Sequence, residues 1–436
     1  MSASLPRSDT AGDVLARIAL GAALLVPVFL MHGHGIADGM MAVADLCFVT
    51  ASARARDWRW ARTPWFLLAL AWWIWVLACS LLKGGNVLQS VLQIRFWVFI
   101  AALEHFVLRT DAARRWMFGV VAACAAWIAA NCLFQLAAGK SLFGAPRGPA
   151  GELTGPFRKA RAGPPLARIM LPVLIPPAAA LLDRRRIGPT LGAFALLLGG
   201  LALMVLISQR MPLALVILGL AVCAVLLRRL RPVVLIAIVA ATALVAASAA
   251  IAPTSYQRLV VRFSEQMENF SASHYGHLYA RAYEIGRQNP WTGLGFDGFR
   301  AGCDEPRYFR PTPDAADGGG ADICTQHPHN FYAEALDNGG WPGLALFCAL
   351  VLAWMRPLGA GLWRNPAPLR VGLFAAVLIQ LWPIASTSGF NALPMGGWLF
   401  LLTGWGLAEA RAPRTTSPPE ATTGRITGGT TGPGAA

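Results

Sequence analysis

The chain has 436 residues, 56% of them hydrophobic and only 14% charged, with 37 Lys and Arg against 22 Asp and Glu for a net charge of +15. That balance excludes an ordinary soluble domain, an intrinsically disordered chain, a collagen-like repeat and a disulfide-stapled mini-domain. In a soluble chain such a positive excess points to nucleic acid. Here the charges stand in short clusters between long apolar runs, the arrangement of basic loops kept on the cytoplasmic side of a bilayer, so no nucleic-acid partner is expected.

A helix crossing roughly 30 Å of hydrocarbon needs about 20 mostly apolar residues, because its backbone polar groups must be satisfied within the segment. Twelve segments meet that requirement: 13–31, 36–53, 64–82, 87–108, 116–137, 164–182, 188–207, 212–227, 232–252, 330–354, 367–386 and 391–410. The expected fold is an all-α polytopic membrane protein. Its parts are nine spans over 1–252, a large loop over 253–329, three spans over 330–411 and a disordered tail over 412–436, rich in Thr, Gly and Pro. The first apolar run lacks a small-residue cleavage site and continues into further spans, so no removable signal peptide is expected.

Alternate loops are basic. Arg54, Arg56, Arg59 and Arg62 follow the second span, and Arg109, Arg114 and Arg115 the fourth. Arg184, Arg185 and Arg186 follow the sixth, Arg228, Arg229 and Arg231 the eighth, and Arg356, Arg364 and Arg370 the tenth. All five loops are thereby assigned to the cytoplasm, with both termini. On the opposite side, HGHGIADG (32–39) and STSGFNALP (386–394) are nearly free of basic residues. Two other loops there break the rule: the fifth connection carries Lys140, Arg147, Arg158, Lys159 and Arg161, and Arg210 stands in SQRMP. Positive charge on the translocated side opposes the topogenic preference and points to binding of an anion, with anionic lipid headgroups as the alternative.

Residues 253–329 are too long for a plain connector. Leu259, Phe263, Met267, Phe270, Leu278 and Ile285 recur at helical spacing, which predicts amphipathic helices roofing the membrane domain. NPWTGLGFDGF (289–299) reads as a Pro and Gly turn, and DAADGGGAD (314–322) as a flexible segment. Six of the eight cysteines fall in apolar spans, where a thiol is a small hydrophobe. Cys303 and Cys324 share the loop in an oxidising compartment, which predicts a disulfide between them.

Charged residues within spans are expensive and need partners. Arg95 and Asp45 are expected to pair, and Glu334 and Asp337 to serve as interhelical hydrogen-bond partners. The 16 tryptophans are assigned largely to the interfacial belt and lipid-facing surface. Asp297, Asp304, Glu305, Asp314, Asp317 and Asp322 form no compact ligand motif, so neither a metal nor another cofactor is expected.

The sharpest signal is HPHNFYAEALDNGGWPG. His329 and Asn330 are followed, after nine residues, by Gly340-x-x-Gly343, which resembles the signature of the O-antigen ligase family. NPWTGLGFDGF is similar to that family's hP-x-x-G-x-G-x-x-F segment in Pro290, Gly293 and Gly295, with Phe299 one residue beyond the pattern's Phe. LTGPF (153–157) resembles its loop before the sixth span, and SQRMP (208–212) its Ser-x-Arg turn after the seventh. The four occur in family order, and with the number of spans the resemblance covers nearly the whole chain.

The resemblance implies a glycosyltransferase of the GT-C kind in the bacterial inner membrane, its active site facing the periplasm. It would transfer a polymerised glycan from undecaprenyl pyrophosphate to the lipid A-core oligosaccharide. On that reading Arg210, in its turn with Gln209, stabilises the departing pyrophosphate, because fixed guanidinium groups meet the charge spreading over phosphate oxygens. A snorkelling helix-end arginine is the plainer alternative. Arg147, Arg158, Lys159 and Arg161 are expected to cradle the donor pyrophosphate or the acceptor's anionic groups. His329 is expected to act as general base on the acceptor hydroxyl or to orient it. Asn330 is either a helix cap or an acceptor contact.

The family also has an arginine about fifteen residues before the hP-x-x-G segment, where this chain has Tyr275. His274, His277 and Arg281 stand nearby, Arg281 being preferred for that contact. An O-antigen polymerase or a protein O-oligosaccharyltransferase would use the same donor. A secondary transporter is the reading from another class, and the crowding of charge at one face argues against its midplane sites.

Overall fold

The computed structural model describes residues 10–412, apart from 150, 160, 252, 313–314, 386–388 and 394. The predicted tail and Asp314 therefore lie outside the described residues, except for Ala412, and so does part of the STSGFNALP loop. Among the described residues the structure is helical, with isolated bridges in place of any strand. Helices α1 (Thr10–His32) and α2 (His34–Ala55) fold against each other on Gly33 alone. Then come α3 (Pro64–Lys83), the broken span of α4 (Val87–Leu92) and α5 (Ile94–Ala102), and α6 (Asp111–Ala138). Helices α7 (Gly163–Asp183), α8 (Ile187–Ile207), α9 (Arg210–Leu226) and α10 (Arg231–Ile251) follow.

The large loop carries α11 (Pro253–Tyr256), α12 (Arg262–Glu268), α13 (His274–Gln288) and α14 (Gly298–Gly302). The chain returns to the bundle through α15 (Phe331–Gly359), α16 (Pro368–Gln380) and α17 (Met395–Arg411). Local chemistry sets the ends. Pro64 opens α3, where a missing N–H costs nothing. Thr110 caps α6 by accepting from Ala113 N–H at 3.2 Å, and α6 stops at Gly139, in left-handed backbone at φ 76°.

Nine helices among the described residues are long and apolar enough to cross a membrane. They coincide with the predicted spans one to seven, nine and ten. The remaining three predicted spans form shorter helices: α9 and α17 have 17 residues each, and α16 has 13. Helix α16 stops early because the chain leaves helical geometry at Leu381, before Pro383.

At the basic loops, charged side chains pair across helix ends. There Arg114 pairs with Glu409 at 3.2 Å, Arg411 with Glu104 at 3.2 Å, and Arg229 with Asp183.

Two expectations about the interior are corrected. Arg95 pairs with Asp38 at 2.7 Å and not with Asp45, whose buried carboxylate has no hydrogen-bond partner among the described residues. Asp38 lies two helical turns before Asp45 on α2, and the arginine reaches the carboxylate nearer water. The tryptophans are only partly a surface belt: Trp60, Trp65, Trp72, Trp97, Trp354, Trp398 and Trp405 are buried, and the other nine are exposed or half-buried. Trp72 and Trp97 pack edge to face at 5.8 Å, and Phe390 meets Trp72 at 5.7 Å and Phe347 at 5.1 Å. Each such contact contributes about 0.5–1.5 kcal/mol beyond area burial, so this aromatic column gives the helices fixed positions beneath the loop.

The loop has its own small core of Leu278, Ala282, Ile285, Phe299, Cys303, Tyr308 and Ile323. The sulfurs of Cys303 and Cys324 are joined as a disulfide at its edge. The glycine-rich turn locks this core to α15. Gly293, at φ 56°, lies so close to Asp337 that a Cβ would collide with its carbonyl, and Leu294 N–H donates to that carbonyl at 2.7 Å. Gly340, at φ 64°, breaks α15 where Trp341 N–H donates to Pro290 O at 2.8 Å.

Candidate active site

At the end of the bundle away from the basic loops, four separate stretches of chain meet. The LTGPF turn is latched to α6 by Gln135, which accepts from Thr154 N–H at 2.8 Å and Gly155 N–H at 3.1 Å and donates to Thr154 Oγ1 at 2.8 Å. The α8–α9 turn docks on the same segment: Leu153 N–H donates to Ile207 O at 3.4 Å, and Gly163 N–H to Gln209 Oε1 at 3.1 Å. Ser208 takes left-handed backbone at φ 62° to make this turn, which delivers Arg210 as the first residue of α9. Gln209 is thus a buried brace. The third stretch enters through Arg258, whose guanidinium pairs with the buried carboxylate of Glu152.

Arg210 has Arg258, Arg262 and Tyr275 as its charged and titratable neighbours. One of its terminal nitrogens is buried without a hydrogen-bond partner among the described residues, and its Cζ stands 5.9 Å from the Phe263 ring. Beside it opens a cavity of about 470 Å³, lined by Arg210, Arg262, Glu265, Gln266, Asn269, Ala272 and Ser273. An oxyanion entering that space meets the half-buried guanidinium of Arg210 and the exposed one of Arg262, which can donate charge-assisted hydrogen bonds to it.

Tyr275 joins this cluster to the fourth stretch. Its ring centre lies 5.8 Å from that of His329, at 70°. His329 is held in left-handed backbone at φ 56°, a conformation uncommon for a residue with a Cβ and often found at functional positions. Its ring also meets His327 at 4.6 Å. Burial, and next the neighbouring His329, push the His327 imidazole down to about 4, so it is uncharged at neutral pH.

Asn330 is a helix cap. Its Oδ1 accepts from Tyr332 N–H at 2.9 Å and Ala333 N–H at 3.2 Å, and its Nδ2 donates to Pro383 O at 2.7 Å. Glu334 accepts from Phe390 N–H at 2.8 Å, a helix-to-loop hydrogen bond, whereas both carboxylate oxygens of Asp337 are buried without partners among the described residues.

The remaining candidates separate. Arg147, Arg158, Lys159 and Arg161 are exposed on the connection before α7, with Arg147 donating to Leu136 O at 3.0 Å. Arg281 is not at the cavity. It is 1% exposed and committed to the loop's own core, donating to Cys303 O and, at 3.0 Å, to Gly320 O, with Phe309 stacked at 3.9 Å. His277 lies on the same buried face of α13, against Gly319. The preference for Arg281 as a phosphate contact is therefore corrected: it braces the segment closed by the disulfide.

The loop guanidinium groups that do reach Arg210 are Arg258 and Arg262, which sequence reasoning missed. Their four-residue separation in QRLVVRF puts both on one helical face, and that was the available signal. Among the described residues no three His, Cys, Asp or Glu side chains converge as a metal-binding group.

Residues 193–348 match the family model described as O-antigen ligase. That stretch contains the SQRMP turn, the glycine-rich segment and the whole His329 to Gly343 signature. Over residues 193–348 the chain carries an O-antigen ligase family domain. That domain implies a membrane enzyme of glycosyltransferase-like class, and the matched region runs from α8 through the loop into α15, so it contains Arg210, Tyr275 and His329. No curated protein matches the chain.

Proposed function

We propose that this protein is an O-antigen ligase. It transfers a polymerised glycan from undecaprenyl pyrophosphate to lipid A-core at the periplasmic face of the inner membrane, with inversion at the anomeric carbon and without a metal. The observation that carries the reading is the placement of Tyr275 beside both His329 and Arg210, with Arg258 and Arg262 around the latter. Tyr275 thus links a candidate proton acceptor to a group of anion-binding guanidiniums.

The acceptor hydroxyl attacks the anomeric carbon on the face opposite the pyrophosphate, and the new glycosidic C–O bond forms as the bond to pyrophosphate breaks. His329 takes the hydroxyl proton. Arg210 and Arg262 receive the charge that develops on the phosphate oxygens. The exposed Arg147, Arg158, Lys159 and Arg161 offer the acceptor's anionic core a second basic surface. A pyrophosphate is already a good leaving group, so these cations suffice.

Transfer with purified lipid-linked glycan and lipid A-core, in competition with a peptide and a second lipid-linked glycan, tests the assignment. Preferred use of lipid A-core supports it, and preferred use of either competitor replaces it with the protein-modifying or polymerising activity. Complete, metal-reversible loss of transfer on chelation would overturn metal independence.

A further inference from the structure

His329 is not a lone histidine. Its ring lies between Tyr275, 5.8 Å away at 70°, and His327, 4.6 Å away at 75°. The two contacts come from different parts of the fold, Tyr275 from α13 and His327 from the strand-free turn ahead of α15. His327 Nε2 is buried and has no hydrogen-bond partner among the described residues. Thr325 Oγ1 donates to the His327 carbonyl at 2.7 Å and fixes the turn that carries it. The other titratable groups near the pair are His274, edge-on to Tyr275 at 6.0 Å, Tyr279, which is hydrogen-bonded to Asn330, and Glu334, whose carboxylate lies with His327 against Gly389.

We infer that His327 is a positioning residue for His329: its uncharged ring holds the His329 ring in a strained backbone and stabilises the imidazolium formed when His329 takes the acceptor proton. The inference rests on the function proposed above. In the step itself the proton passes from the acceptor oxygen to His329, the glycosidic bond forms, the pyrophosphate leaves with its bonding electrons, and the proton then goes to solvent.

An imidazolium is met well by an aromatic ring and a nitrogen lone pair and badly by a second cation. Burial serves this role by keeping His327 neutral. A simple filler would need only volume, whereas this role couples His327 to the ionisation of His329.

The test is a pH profile of kcat and KM for the full-length protein in detergent or nanodiscs, with lipid-linked glycan and lipid A-core, for wild type, His327→Ala, His327→Phe and His329→Ala. His327→Ala is expected to lower kcat roughly tenfold, leave KM for the donor within about twofold, and move the acidic limb of kcat down by about half a pH unit. His327→Phe, which keeps an uncharged ring, is expected to restore kcat to within about threefold and return the limb to its wild-type position. An unmoved acidic limb in His327→Ala, or a loss confined to KM, overturns the inference. Should His327→Ala fail to fold, an acidic limb displaced in His327→Phe overturns it instead. An active His329→Ala variant would instead sink the proposed function, so the two failures are distinguishable.

Discussion

The guanidinium of Arg258 is paired with the buried carboxylate of Glu152, linking the turn ahead of α7 to the first helices of the large loop. Removing one partner of such a pair strands the other charge. Glu152→Ala is expected to loosen the loop, seen as increased hydrogen exchange over 253–272, and to weaken transfer several-fold by raising KM for the donor. Charge reversal in both partners (Glu152→Arg with Arg258→Glu) should recover part of the protection. Unchanged exchange in Glu152→Ala would show that the pair does not hold the loop.

Arg210 and Arg262 line the same cavity, but only Arg210 has a buried nitrogen without a protein partner. Arg210→Ala should therefore lower kcat at least about a hundredfold, and Arg262→Ala roughly tenfold, as expected for donors aimed at developing charge. Arg210→Lys should recover little, since an ammonium lacks the planar fork. Wild-type turnover in Arg210→Ala would remove its assigned role.

Asn330 closes the N-terminus of α15 with two accepted hydrogen bonds. Asn330→Ala should cost about 1 kcal/mol of stability, whereas Asn330→Ser and Asn330→Asp should keep most of it. Thermal melts in one detergent provide the comparison. Activity should follow the same order, because the cap fixes the residue next to His329.

His327 also makes the site sensitive to acid. Its folded value lies near 4, below the usual histidine value of 6.5. The stabilisation from burying it neutral is complete above about pH 6.5 and is lost as pH falls towards 4, reaching about 2 kcal/mol of loss at pH 5. Exchange protection of residues 325–333 should drop between pH 7 and pH 5 in wild type. In His327→Phe, which cannot titrate there, that drop should shrink.

The Cys303–Cys324 disulfide and the Arg281 hydrogen bonds to Cys303 O and Gly320 O brace the same segment. Thiol titration of the denatured, unreduced protein should find six free thiols. Arg281→Ala should lower the melting temperature and protein yield, while surviving folded protein keeps donor KM within about twofold. A selective rise in donor KM without destabilisation would return Arg281 to the phosphate site.

The membrane helices were legible because hydropathy and length report directly on burial in lipid, as did the His329 to Gly343 spacing. The second guanidinium group was not. Counting back from Pro290 without a gap leads to Tyr275, whereas Arg258 and Arg262 stand near Arg210 because the chain leaving α10 docks through Arg258 on Glu152, ahead of α7. His277 and Arg281 are polar residues in a segment with an otherwise readable apolar stripe, and no periodicity reveals that their face turns inward to the disulfide. Arg95 was misassigned for a similar reason: Asp38 and Asp45 both suit a cation on the next span, and rotation of α2 decides between them.

The break at Gly340 divides α15 into two segments, the first of them shared between the loop lobe and the bundle. Its opening turns are stitched to the glycine-rich segment through Asp337 O and Pro290 O, while the part beyond Gly343 packs within the bundle. His329 and Asn330 stand at the head of that first segment, tied to the bundle by the Asn330 hydrogen bond to Pro383 O, and Arg210 opens α9. Any tilt of that first segment, such as a bulky sugar chain would impose on entering, changes the gap between base and cation while leaving the spacing of His329 and its cap untouched.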